Sequence, residues 1–380
     1  MEINDLLKKA AGAGASDLHI KVGNSPIFRV NGSLRIMESE PRITKDEAIK
    51  HVLSVMNPAQ KEAFKKEADL DFAYSVPGLG RFRCNAFLQR GTVGIVFRVI
   101  PTVIPNVDDL MLPPVLKNIA LEERGLVLVT GTTGSGKSTT LAAMIDHINV
   151  MKTANIVTIE DPVEYLHRDK KSIVNQREVG ADTKSFSKAL RAALRQDPDV
   201  ILVGEMRDFD TIQTALMAAE TGHLVLSTLH TLDAPETINR IISFFPPYHQ
   251  QQVRIQLASV LKGIISERLV PKADGKGRVP AVEVLMSTAT IRDCITDSNK
   301  TKMLTDFIAQ GKLHYGMQTF DQSLLELYQN GLVTYEEALK QASNPDDFAL
   351  KVKGVNNTAE MFEQKQSKDG GGPMIERFAR

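Results

Sequence analysis

Four short apolar runs punctuate the middle of the chain: Leu126-Val127-Leu128-Val129, Ile156-Val157-Thr158-Ile159, Val200-Ile201-Leu202-Val203 and Leu224-Val225-Leu226-Ser227. Each is too short for a buried helix. Continuous rather than alternating apolarity marks strands covered on both faces, as in a parallel sheet. Between the first two runs, Leu141, Met144, Ile145 and Ile148 recur at i, i+3, i+4 and i+7, one face of a helix. Residues 119–285 therefore read as an α/β core, a sheet sandwiched by helices.

The pattern on either side differs. Residues 1–100 read as a small α+β domain, with short strands at Ser16–Val22 and Ile27–Val30 around the turn-forming Gly23-Asn24-Ser25-Pro26. Thr44 to Met56 reads as a helix, capped by Thr44 with Glu47 at the capping-box spacing. Strands are expected again at Gly80–Phe87 and Gly94–Ile100. Pro101, Pro105, Pro113 and Pro114 then cluster, which forbids regular helix or central strand and marks 101–118 as a linker. Residues 286–363 read as helical, with Phe320, Leu324, Leu327 and Tyr328 on one face. The polar stretch 364–380, containing Gly370-Gly371-Gly372-Pro373, predicts a disordered tail.

Composition narrows the class. With 380 residues, 42% of them hydrophobic and 24% charged, the chain suits a soluble protein of two domains. The 46 basic residues are balanced by 46 acidic ones, which counts against a nucleic-acid partner and against a DNA motor. Cys84 and Cys294 are the only cysteines, too few for a four-cysteine zinc site, and read as reduced thiols of a cytosolic protein. No stretch approaches the roughly 20 apolar residues that span a bilayer. Acidic residues stand at the start where a secretory signal carries basic ones. A cytoplasmic location is expected.

The chemistry concentrates at the ends of the apolar runs. Gly131-Thr132-Thr133-Gly134-Ser135-Gly136-Lys137-Ser138 is a complete P-loop, set between a strand and a helix as the motif requires. Its glycines let backbone N–H groups cradle phosphate oxygens, Lys137 reaches the β- and γ-phosphates, and Ser138 ligates Mg²⁺, with Thr139 next in line. ATP and Mg²⁺ are thus the expected cofactors. A second run ends in Val203-Gly204-Glu205, placing a carboxylate where magnesium and its waters would sit; a solvated strand-end residue is the alternative. A third ends in Glu160-Asp161-Pro162-Val163-Glu164, and spacing does not decide which acid assists hydrolysis. His223 and His230 bracket the fourth run. Histidines so placed are ordinarily structural, though His230 at a strand end beside a P-loop could sense the γ-phosphate.

Taken together in this order, these motifs resemble the ATPases of type II secretion and type IV pili. Within them the chain is most similar to the pilus retraction ATPases, PilT and PilU. The resemblance runs from Ala15-Ser16-Asp17-Leu18-His19-Ile20 through Gly316-Met317-Gln318-Thr319-Phe320-Asp321-Gln322. It implies a RecA-like ATPase domain, an N-terminal PAS-like domain and a ring-shaped homohexamer with nucleotide between the two domains. It implies Glu164 as the glutamate that polarises the attacking water, Glu205 as an atypical Walker B acid and metal contact, and His223 and His230 as the His box. It further implies phosphate-sensing arginines from the N-terminal domain. Arg81 and Arg83 alternate with Phe82 and Cys84 and so share a strand face, and Arg98 follows on the next strand.

The implied function is ATP-driven pilin disassembly and twitching motility. The work would be done at the inner face of the inner membrane, against a platform protein of the PilC type and with a paralogous retraction ATPase as a further partner. One segment departs from the family. Retraction ATPases carry Ala-Ile-Arg-Asn-Leu-Ile where this chain has Thr290-Ile291-Arg292-Asp293-Cys294-Ile295. That leaves open an accessory, PilU-like role, or an ATP-gated assembly module with weak turnover.

Overall fold

The computed structural model describes residues 2–30 and 32–354. The expected tail at 364–380 and the last residues of the 286–363 region lie outside the described residues. Two sheets organise the molecule, each with its own apolar core.

The first sheet follows α1 (Ile3–Gly12) and comprises β1 (Asp17–Lys21), β2 (Ile27–Val30), β3 (Ser33–Ile36), β4 (Asp69–Val76), β5 (Gly80–Gln89) and β6 (Thr92–Val99). Helices α2 (Lys45–Ser54) and α3 (Pro58–Glu67) lie between β3 and β4. The strand order is β3-β2-β1-β6-β5-β4, antiparallel throughout. Thr44 and Glu47 close a full capping box at the start of α2, satisfying backbone donors that the first turn leaves free. Leu18, Ile20, Phe82, Cys84, Ile95 and Phe97 are buried on one face of the sheet. The alternation of strand side chains then sends Arg83 and Arg98 to the other.

After β6, residues 100–114 contain no helix or strand, and α4 (Val115–Ala120) follows. This helix occupies the end of the span read as linker. Pro113 and Pro114 stand at its entry, where missing N–H groups cost nothing, so the prolines start the helix rather than forbid it.

The second sheet is built from β7 (Gly125–Thr130), α5 (Lys137–Met151), β8 (Asn155–Glu160), β9 (Ile173–Glu178), α6 (Phe186–Ala193), β10 (Val200–Val203), α7 (Phe209–Glu220) and β11 (Leu224–Leu229). It continues through α8 (Ala234–Ser243), α9 (Pro247–Val260), β12 (Leu261–Pro271) and β13 (Arg278–Met286). Its order is β13-β12-β7-β11-β10-β8-β9. All neighbours pair parallel except β12 with β13. Each of the four apolar runs is one of its inner strands, and separate apolar clusters cover the two faces, as the unbroken apolarity requires. Leu141, Met144, Ile145 and Ile148 of α5 are all buried in one of these clusters.

The remaining elements are helical: α10 (Ala289–Thr296), α11 (Leu304–Gln310), α12 (Lys312–Tyr315), α13 (Phe320–Gln329), α14 (Tyr335–Gln341) and α15 (Pro345–Val352). Phe320, Leu324 and Leu327 of α13 pack on Val270, Val279 and Ala281 of the β12–β13 hairpin.

Candidate nucleotide site

Because six strands of the second sheet run parallel, their C-terminal ends open on one side, the usual place for a ligand crevice. A cleft of about 770 Å³ lies there. Its walls include Thr133, Gly134, Lys137 and Ser138 from the P-loop, Glu160 at the end of β8 with Asp161 and Glu164 beyond it, Glu205 and Arg207 after β10, and His230 after β11. Arg83 and Arg98 from the first sheet complete it.

The P-loop leaves β7 at Thr130 and enters α5 at Lys137. Gly131 and Gly136 adopt φ of 141° and 113°, which L side chains rarely take. A Cβ at Gly131 would stand 2.5 Å from both the Glu267 carbonyl oxygen and Ser135 Oγ, and one at Gly136 would stand 3.1 Å from Glu267 Oε2. The loop is thus seated directly on β12. Lys137 is buried and its Nζ donates to the carbonyl oxygens of Gly131 and Thr132, each at 2.8 Å. Burial pulls its pKa down, opposed by the nearby Glu205 and Glu267. The Ser135 hydroxyl is buried with no hydrogen-bond partner among the described residues. Buried polar groups are nearly always paired. An orphaned hydroxyl inside a glycine cradle beside a lysine therefore fits an anionic ligand that brings acceptors with it.

Glu205 accepts from Arg207 Nε at 2.7 Å and lies 3.1 Å from His230 Nε2. Burial alone would raise its carboxyl pKa, but Arg207 and His230 overcome that and hold it below the usual range. The other ring nitrogen of His230 lies 3.5 Å from Lys137 Nζ. Among the described residues no cluster of three or more His, Cys, Asp or Glu could hold a metal. Magnesium suits such a site, since it keeps waters and takes few protein ligands beside substrate phosphates. Ser138 and Glu205, both in the cleft wall, are the residues that would hold it.

Of the three acids at and beyond the end of β8, Glu160 is engaged. Its carboxylate accepts from Thr158 Oγ1 at 2.6 Å and Gln176 Nε2 at 3.1 Å, and burial raises its pKa. Glu164 is exposed in the cleft, and no donor among the described residues holds its carboxylate. Thr139 lies beside the part of the cleft bounded by Arg83, Arg98 and Glu164, where its hydroxyl meets Tyr165 OH at 3.1 Å and ties this loop to α5.

Two expected residues are not brought to the cleft. His223 stands just before β11, at the end of the strand away from the crevice, and its Nδ1 lies 2.9 Å from the Ala218 carbonyl. Arg81 shares a strand face with Arg83 but is displaced two residues along β5, and its Nη2 pairs with Glu178 Oε2 at 3.2 Å. Sequence reasoning missed Arg207 in the cleft wall, Glu267 beneath the P-loop and Glu178 behind the Glu164 loop. Only Arg207, two positions beyond Glu205, carried a signal that could have found it.

A glycine cradle at a helix start, a lysine within it, and carboxylates and a histidine at neighbouring strand ends define a P-loop ATPase site. The sequence profile of the Type II/IV secretion system protein family matches residues 1–340. The type IV pilus ATPase PilT of Pseudomonas aeruginosa is 46% identical over 92% of this chain and 100% of its own length. The type IV pilus ATPase PilU of the same organism is 44% identical over 93% and 92%. A crystal structure of the pilus retraction motor PilT with bound ADP superposes with a TM-score of 0.85 at 48% identity, covering 91% of this chain and 98% of that one. The chain belongs to the type II/IV secretion system protein family, in its branch of pilus retraction ATPases.

Proposed function

We propose that the protein is a hexameric motor that hydrolyses ATP to drive type IV pilus retraction. In this reading the second sheet and its helices form a RecA-like engine, and the first sheet and its helices a PAS-like arm. The observation that carries it is the cleft itself, where P-loop, Glu164, Glu205 and His230 from one sheet face Arg83 and Arg98 from the other. Lys137 trades its two backbone carbonyls for the β- and γ-phosphates. Ser138 and Glu205 would hold Mg²⁺, which would neutralise phosphate charge when bound. Glu164, whose carboxylate has no other partner among the described residues, orients and deprotonates the attacking water. Arg83 and Arg98 meet the charge that develops on the phosphoryl oxygens. Because they ride on the other sheet, the site is complete only when the two sheets close.

Among the described residues no helix is long and apolar enough to cross a membrane. Work on a pilus at the inner membrane therefore passes through a membrane partner, a platform protein in our reading. A concentration series tests ring assembly. Specific ATPase activity of the full chain should rise as sedimentation detects hexamers, and a flat profile would contradict an assembled motor.

An accessory role beside a paralogous motor is the second reading. Identity to PilT and to PilU is nearly equal, and the Thr290–Ile295 segment departs from the retraction pattern. Its surviving Ile291 and Ile295 are buried in α10 with Cys294, whereas Arg292 and Asp293 are exposed. Retraction by cells carrying this chain as their sole retraction ATPase separates the two readings.

A further inference from the structure

One oxygen of one buried carboxylate holds two parts of the molecule at once. Glu178 closes β9, the edge strand of the second sheet, and its side chain is 6% exposed. Its Oε2 accepts from Arg81 Nη2, on β5 of the first sheet, at 3.2 Å. The same Oε2 accepts from the backbone N–H of Val163, also at 3.2 Å. Val163 immediately precedes Glu164. Residues 100–124 join the two sheets, and the part next to the first sheet, 100–114, contains no helix or strand, so few backbone ladders resist a change in their relation.

From this geometry we propose that Glu178 is a positioning residue that couples the seating of the first sheet to the placement of Glu164. With Arg81 docked, the carboxylate is paired and fixes the Val163 amide. When β5 moves away, a buried carboxylate loses its cation, an arrangement that is strongly unfavourable. The loop must then rearrange or the sheet must return. Water activation is thereby confined to the closed arrangement, in which Arg83 and Arg98 also face the phosphates. Arg81 in this account acts through Glu178 and does not touch nucleotide. The inference rests on the reading of Glu164 as the group that activates water.

The test is steady-state ATP hydrolysis by the full-length chain and its Arg81→Gln, Glu178→Gln and doubly substituted variants, with Glu164→Gln alongside. Glutamine at 178 keeps an acceptor for Val163 but no charge for Arg81. Each single substitution should lower kcat about tenfold with KM changed by less than about twofold, and the double variant should resemble either single one. Arg81→Lys, which keeps the charge, should restore most of kcat. Losses that multiply in the double variant, losses confined to KM, or a normal kcat in Arg81→Gln would each overturn the proposal. Should Glu178→Gln fail to fold, the two Arg81 variants decide alone. If Glu164→Gln still turns over, the water-activation reading itself fails. If Glu164→Gln is inactive while Arg81→Gln is normal, only the coupling fails.

Discussion

His230 Nε2 stands 3.1 Å from Glu205 Oε1, and this contact links the ends of adjacent parallel strands across the floor of the cleft. The other face of the ring lies near Lys137, so one imidazole spans the acid that would attend magnesium and the lysine that would hold phosphate.

Lys137→Ala should weaken ATP and ADP binding about a hundredfold, because several charge-assisted hydrogen bonds are lost together. Its ammonium otherwise serves two backbone carbonyls that water can satisfy, so the fold should persist. Titration with a fluorescent nucleotide checks the first point and circular dichroism the second.

Arg83→Ala should lower kcat about a thousandfold in assembled rings, the scale of a lost arginine finger, while ADP affinity changes little. Arg83 lies opposite Arg98 in the β5–β6 register, and Arg98 Nε is held by Asp17 Oδ1 at 2.9 Å. The alanine variant therefore removes a cation without freeing its neighbour. Normal turnover by Arg83→Ala would show that the first sheet does not complete the site.

Glu267 predicts a pH effect on stability. It is wholly buried beneath the P-loop, neither carboxylate oxygen has a partner at hydrogen-bonding geometry among the described residues, and burial pushes its pKa up to about 7, only partly offset by the nearby Thr140 and Lys137. The folded state thus holds a proton that the unfolded state has released above pH 4.5, its ordinary value. Stability from this group is present at low pH and falls as pH rises from about 4.5 towards about 7. Glu267→Gln should therefore raise the melting temperature relative to wild type at pH 8 and not at pH 5. An equal effect at both pH values would contradict a protonated Glu267.

Much of the fold was legible because its signals are local or periodic. The Thr44–Glu47 box needs only four residues, and the inner strands of a parallel sheet announce themselves by unbroken apolarity. The β12–β13 hairpin was not read as strands, because buried Glu267 and Glu283 interrupt its apolar pattern with charges that only the tertiary setting explains. The P-loop, Glu164, Glu205 and His230 were placed at strand ends by their spacing, and the structure gathers them in one cleft. His223 was not separable from His230 by motif, but strand direction separates them: a parallel strand has one end at the crevice. Arg81 and Arg83 were indistinguishable by alternation. Two residues along a strand is roughly 7 Å, enough to carry Arg81 from the cleft to Glu178.

The most direct measurement is Mg²⁺-dependent ATP turnover by assembled wild-type protein beside Glu164→Gln, with ATP binding measured on the same samples. The account predicts that the variant binds ATP as wild type does yet loses between about a hundredfold and ten-thousandfold in kcat, since only water activation is removed. Equal turnover by the two proteins would contradict it and remove Glu164 from the reaction.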